Sequence, residues 1–309
     1  MFGNDSKNAE LATDVNEEAM VRGRSLLRDA RDRFVKNKAA MGSVILLSLI
    51  ALFTIFGPFF AQYSNEEIDW ARMGDLVNQG RPSVENGHYF GLDYLGRDLY
   101  SRVIQATTIS LLVGVIGAAM ALIVGTLYGT IAGFVGGRTD SIMMRIVDIL
   151  LAIPSTLVII LLLVVAGRSF VMLFVALGLV SWLTMARIVR GQTLALKNRE
   201  FIEAARAAGV SETVIMFRHI LPNLMGVVIV YASLLVPDMI LAESFISFLG
   251  LGISEPYTSL GSLIAEGAGT MGYGTLWQLI FPLTIFIAII ITMFFIGDGL
   301  RDALDPKDR

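Results

Sequence analysis

The most constraining feature is a set of long apolar blocks that carry almost no charge. A helix that crosses a bilayer needs about 20 mostly apolar residues, and six blocks qualify. Ala39 to Gln62, Val103 to Val135, Ser169 to Ala186 and Trp277 to Gly297 hold no charged residue. Ile142 to Gly167 carries only Arg145 and Asp148, both in its first turns, and Leu221 to Phe248 holds Asp238 and Glu243. Ala166-Gly167-Arg168-Ser169 separates the third block from the fourth. Composition agrees: 55% of the 309 residues are hydrophobic and 17% charged, against about 25% charged in an average soluble domain. The fold class expected is an all-α integral membrane protein with six transmembrane helices. A disordered chain and a nucleic-acid-binding protein are excluded.

Charge distribution sets the expected orientation. Basic residues concentrate on the cytoplasmic side of membrane proteins. Eight Lys and Arg lie in residues 1–38, six between Arg187 and Pro222 and three after Gly297, with Arg138 and Arg145 at the start of the third span. Five lie on the other side: Arg72, Arg81, Arg97, Arg102 and Arg168. Six spans put both termini on one face, so both are expected to be cytoplasmic, with 63–102 and 250–276 facing outward. The first span begins too late and runs too long for a cleaved signal peptide, and reads as a permanent helix.

The chain divides into a cytoplasmic tail (1–38), a first transmembrane helix (39–62), an outer loop (63–102), a membrane core (103–300) with a cytoplasmic loop at 187–223, and a second tail (301–309). Residues 1–20 are polar and acidic and read as disordered. Arg22 to Lys38 reads either as a basic amphipathic helix on anionic membrane lipid or as the basic flank of the first span. The 40-residue outer loop, with Trp70, Tyr89, Tyr94, Tyr100 and seven carboxylates, is expected to be folded, with His88 on its surface. Gly125, Gly129 and Gly133 form a ladder that lets helix backbones approach closely. Together with Pro154, Pro237 and Pro282, the glycines read as ordinary packing or as kinked helices around a path. No cysteine is present and only two histidines, His88 and His219, so no thiol chemistry or His-rich metal site is expected.

The loop 187–223 is longer than a minimal connection. Its centre, Glu200-Phe-Ile-Glu-Ala-Ala-Arg-Ala-Ala-Gly209, predicts a short helix stopped at Gly209. A second segment follows from Glu212 to Ile220, and Pro222 opens the next span. Such a helix, with small alanine faces, reads as a piece that fits a groove on another protein or as a solvated connector. Within the fifth span, Asp238 and Glu243 read as hydrated groups at the outer boundary or as cavity-facing contacts for a peptide amino terminus. Arg145 and Asp148 read as an i,i+3 pair.

Glu203-Ala204-Ala205, Gly209 four residues on, then Leu221-Pro222, resembles the EAA motif of permease subunits of ATP-binding-cassette importers. In that motif an isoleucine precedes Leu-Pro by two positions; here His219 stands there and Ile220 comes next. Gly91-Leu-Asp-Tyr-Leu-Gly-Arg-Asp-Leu-Tyr-Ser-Arg102 resembles a segment of the peptide and nickel branch of this family. Read from its residues alone it is a polar turn before the second span. Glu243-Ser-Phe-Ile-Ser-Phe-Leu-Gly-Leu-Gly252 and Gly297-Asp-Gly-Leu-Arg-Asp-Ala-Leu-Asp-Pro306 resemble the same branch. Asn86 to Gly91, Ser181 to Thr193 and the ending Lys307-Asp308-Arg309 are most similar to its oligopeptide members.

The resemblance implies the type I importer permease fold and a place in the cell inner membrane. It implies partners: a second permease (OppB-like), two ATP-binding subunits (OppD-like and OppF-like), a periplasmic peptide-binding protein (OppA-like), a peptide substrate and membrane lipid. It implies that Glu203, Ala204, Ala205 and Gly209, with Leu221 and Pro222, form the coupling site to the ATPases, and that no cofactor is needed. No GxxxxGK[ST] phosphate loop occurs, nor any nucleophile–base–acid set, so the chain itself is not expected to be an enzyme. Dipeptide, glutathione or nickel cargo stays open at this point, as do a self-contained secondary transporter and a membrane scaffold.

Overall fold

The structure is a computed structural model that describes residues 26–304; the readings for residues 1–25 and 305–309 lie outside it. Among the described residues the fold is helical, in the order α1 (Leu26–Lys36), α2 (Lys38–Phe56), α3 (Trp70–Met73), α4 (Leu76–Gln79), α5 (Leu99–Val135), α6 (Gly137–Leu151), α7 (Ser155–Ala166), α8 (Phe170–Lys197), α9 (Glu200–Ala207), α10 (Glu212–Ile215), α11 (Leu221–Phe248), α12 (Leu260–Thr270) and α13 (Trp277–Leu304). Five helices are long and apolar enough to cross a membrane, and six if the bent pair α6–α7 counts as one span.

Local chemistry sets these ends. Asn37 caps α2 by accepting from the Ala40 amide at 3.1 Å. Ser169 does the same for α8 through Met172, also at 3.1 Å. Gly167, at φ +97°, makes the break between α7 and α8 that the sequence predicts. The third span is not a single rod, however. It turns by 78° between Leu151 and Ser155, where Pro154 lacks an amide hydrogen and forces Ile153 out of helical conformation.

Two other boundaries move. The fourth span continues to Lys197 instead of ending at Ala186. The segment Glu212–Ile220 joins the fifth span without a break, as α10, a π turn over Met216–Ile220 and then α11. Arg187 and Arg190 thus lie on α8. Arg187 donates to Asp148 at 2.5 Å and Arg190 to both oxygens of Asp140 at 2.8 and 2.6 Å. Asp148 therefore pairs across to α8, and not with Arg145 on its own helix, because the extended α8 lays its guanidinium row beside α6.

The glycine ladder serves close packing. A Cβ on Gly125 would lie 2.6 Å from the Met185 Cβ, on Gly129 2.4 Å from the Ala186 oxygen and on Gly133 2.9 Å from the Arg190 oxygen. Helices α5 and α8 therefore touch backbone to backbone. Nearer the start of α5, Gly114 and Gly117 meet Ile240 and Met239 of α11. One apolar cluster joins α5, α7, α8 and α11, and a second joins α2, α5, α12 and α13. Ile45, Leu49 and Ile55 of α2 remain exposed, as an apolar solvent or partner requires.

Candidate functional site

Helix α9 carries the EAA motif and is seated by one side chain. Ile202 is completely buried among Phe134 of α5, Met185 and Val189 of α8, Ile215 and Ile220 of the connector, and Leu224 and Val228 of α11. Ala205 and Val210 pack against the same cluster. The short helix is thus seated in an apolar cluster to which three long helices contribute. It ends as Gly209 predicts: the Gly209 amide donates to Arg206 O at 2.9 Å, the Val210 amide to Ala205 O at 3.1 Å, and Gly209 takes φ +79°. This six-to-one and five-to-two pair is the Schellman stop. Arg206 then donates to Glu212 at 2.9 Å across the turn.

The other face of α9 is open. Phe201, Glu203, Ala204, Ala207, Ala208 and Gly209 are exposed, and no atom lies within 4 Å of where a Gly209 Cβ would stand. Glu203 does not cap its helix and makes no ion pair among the described residues. Pro222 is exposed and Leu221 half-buried. Ile220 takes the buried place in the π turn while His219 is half-buried, so the departure from the motif leaves the apolar seat intact. The arrangement is a small, apolar-edged knob with the Glu203 carboxylate free on its open face and a rigid base beneath.

Asp238 and Glu243 are not brought together. Five residues apart on a helix, they point about 140° apart. Asp238 is exposed and has no partner among the described residues. Glu243 is fully buried and accepts from Ser110 of α5 at 3.2 Å, Ser244 at 3.2 Å and Ser247 at 2.6 Å. Ser110 in turn accepts from the Leu260 amide that opens α12, at 3.3 Å. In this conformation Glu243 ties α5, α11 and α12 together and presents no oxygen to a path.

The segment that reads as a polar turn before the second span is a buried ionic network. Asp93 accepts from the amides of Leu95 and Arg97, each at 2.8 Å, and from the guanidinium groups of Arg97 and Arg102. Arg97 continues to Glu255 at 2.7 Å and Arg102 to Glu266 at 3.3 Å. Burial pushes the Glu266 carboxyl up to about 8, with the neighbouring Asp93 charge adding to it. His88 is not a surface residue but 1% exposed. It lies between Asp98 at 2.9 Å and Asp69 at 3.3 Å, under the Tyr63 ring. Asp98 also caps α5 through Ser101, so this core organises the start of the second span. The outer loop is folded, as expected, and Phe90 stacks on Phe281 of α13 at 4.2 Å. The signal available in the sequence was the density of Asp and Arg at turn spacing, which alone does not say that they turn inward.

Comparison with known proteins places this geometry. The family described as binding-protein-dependent transport system inner membrane component matches residues 125–309. The N-terminal TM domain of oligopeptide transport permease C matches residues 25–80. The oligopeptide transport system permease protein OppC of Escherichia coli (strain K12) is 53% identical over 303 residues, 98% of each chain. OppC of Bacillus subtilis (strain 168) is 42% identical over 100% of this chain and 97% of its own. The dipeptide transport system permease protein DppC of the same organism is 42% identical over 99% and 92%. An all-helical membrane chain with an anchored EAA helix and these relatives belongs to the inner membrane components of binding-protein-dependent transport systems.

Proposed function

We propose that this permease is one of two membrane subunits of an ATP-driven oligopeptide importer, with α9 as its coupling helix. The observation that carries the reading is the seat of Ile202. It seats an exposed knob of small residues in an apolar cluster to which α5, α8 and α11 all contribute, so a push on α9 enters that shared cluster. Glu203, Ala204, Ala205 and Gly209 meet a cleft on one of two ATP-binding subunits (OppD-like and OppF-like), and Leu221 and Pro222 begin the helix that receives the motion. ATP is hydrolysed on those subunits and not on this chain. An OppB-like permease completes the path, and an OppA-like binding protein delivers the peptide. Both termini face the cytoplasm, in keeping with nineteen of the 24 basic residues on that side. Peptide cargo follows from the relatives, oligopeptide and dipeptide permeases alike.

Two substitutions test the coupling role in the assembled complex. Glu203→Lys reverses the free charge of the knob, and Gly209→Val strains the left-handed stop. Each is expected to leave membrane insertion intact and to lower peptide taken up per ATP at least about tenfold. Normal uptake in both would overturn the assignment. Asp238 is proposed as the path-facing carboxylate of α11. Asp238→Asn is expected to lower uptake with assembly unchanged, and unaltered uptake would remove it from the path.

A further inference from the structure

Two arginines of the buried ionic network are contested. Asp93 accepts from the guanidinium groups of both Arg97 and Arg102. Glu255 lies on the same pair, with Oε2 2.7 Å from Arg97 Nη1 and Oε1 3.8 Å from Arg102 Nη2. These two cations and two carboxylates balance. Glu266 comes in addition, 3.3 Å from the same Arg102 Nη2 that Glu255 approaches. Two glutamates from different segments thus share one nitrogen.

The three carboxylates are not equally free to leave. Asp93 is also held by the amides of Leu95 and Arg97. The Glu266 side chain is 22% exposed and fixed on α12, whereas that of Glu255 is 57% exposed. Glu255 belongs to an exposed arch, 254–257, between the buried Gly252 and the buried Thr258 in the connection from α11 to α12. Ser254 adds a light tie, its hydroxyl donating to Arg168 O at 3.2 Å. An ionised Glu266 puts a third carboxylate on two guanidinium groups. Excess buried charge is costly unless it returns to water, and Glu255 needs only a swing of the arch to do so.

The groups that face Glu266 are Asp93, Tyr94 and Arg97 of the outer loop, Arg102 of α5 and Glu255 of the arch. Helix α13 meets α12 through Gln278, which does not titrate. Helix α11 meets it through Ser244, with Glu243 turned onto the serines. Burial, then the Asp93 charge, holds the Glu266 carboxyl up at about 8. It is protonated below that pH and ionised above it.

We propose that the arch 254–257 is a clasp worked by one proton: protonated Glu266 leaves the arginines to Glu255 and the arch shut, and ionised Glu266 takes Arg102 and releases Glu255 with the arch into solvent. In the orientation proposed above, the proton is drawn from the outer medium. The clasp does not depend on what the chain carries.

The chain has no cysteine. Thr258, at the foot of the arch, is 2% exposed, and its hydroxyl has no partner among the described residues, so Thr258→Cys reports opening without removing a hydrogen bond. Maleimide labelling of this cysteine is followed in the full chain, purified with its membrane partners, at pH 6.5 and 9. Each rate is divided by that of the same cysteine in a Glu255→Gln background, which cancels the pH dependence of the thiol. The ratio is expected to be about one-tenth at pH 6.5, the effect of one charge-assisted hydrogen bond, and near one at pH 9. A ratio near one at both values shows that Glu255 does not hold the arch, and a low ratio at both shows that nothing releases it; either overturns the clasp. With Glu266→Gln the ratio is expected to stay at about one-tenth at pH 9. A rise like that of the wild type assigns the response to another group and also overturns the proposal. If Glu266→Gln does not accumulate, the first pair of ratios decides alone.

Discussion

Arg102 and Glu266, 164 positions apart in sequence, meet at 3.3 Å, the first fully buried at the head of α5 and the second on α12. The second oxygen of Glu266 is buried and has no partner among the described residues. Burial, with the Asp93 charge nearby, holds this carboxyl well above the ordinary glutamate range, at about 8.

A pH dependence follows. The folded chain binds this proton more tightly than the unfolded chain, whose glutamate titrates near 4.5. Its stabilising effect is full below 4.5 and is lost as pH rises through about 8. The slope from one proton is at most about 1.4 kcal/mol per pH unit. Thermal unfolding in detergent between pH 5 and 9 is expected to show a falling midpoint for the wild type and a flatter profile for Glu266→Gln. Parallel profiles would refute it.

The seat of α9 is testable apart from transport. Ile202→Ala empties the centre of a buried cluster and costs about 2–5 kcal/mol there. Hydrogen exchange of amides 200–210 is expected to accelerate, with the amides of α5 at Ile109 and Val113 unaffected. Uniform protection across both regions would show that Ile202 does not hold the helix.

The two kinds of glycine in this chain predict opposite outcomes. Gly129→Leu drives a side chain into the α8 backbone, where even a Cβ would lie 2.4 Å from Ala186 O, and is expected to abolish accumulation of folded protein. Gly226 on α11 has nothing within 4 Å. Gly226→Ala is expected to stabilise by about 0.5–1 kcal/mol, the helix preference for alanine over glycine. Membrane levels and unfolding midpoints of the two variants decide it.

For Glu243, shape matters less than acceptors. Glu243→Leu strands the Ser110, Ser244 and Ser247 hydroxyls, each at about 1–2 kcal/mol, whereas Glu243→Gln keeps one acceptor oxygen among them. The expected order of thermal stability is wild type, then Gln, then Leu. A leucine variant as stable as wild type would mean that the serines find other partners.

The membrane blocks, the stop at Gly209 and the break at Gly167 were legible because each depends on a short stretch: hydropathy, a positive φ, a cap. The bend before Ser155 was half legible, since Pro154 marks the place but not the angle. The extension of α8 to Lys197 was hidden because Arg187 and Arg190 look like a loop until Asp148 and Asp140 of α6 are beside them. The burial of His88, and of the polar turn that carries Asp93, was hidden for the same reason. Their burial depends on Asp69, Tyr63 and Arg102, partners that only the folded chain assembles. Within the candidate site, the motif residues were visible in sequence, whereas Ile202, the buried residue of their helix, stands one position before them, unmarked.

The contact between α5 and α8 limits how this molecule can rearrange. Two helices with glycine against main chain at three successive turns have no clearance to slide, since a one-residue shift replaces hydrogen with a side chain at each rung. They therefore travel as one plank. Any swing that begins at the inner end of that plank arrives undiminished at the other, and the play in the mechanism is left to joints such as the 78° elbow between α6 and α7.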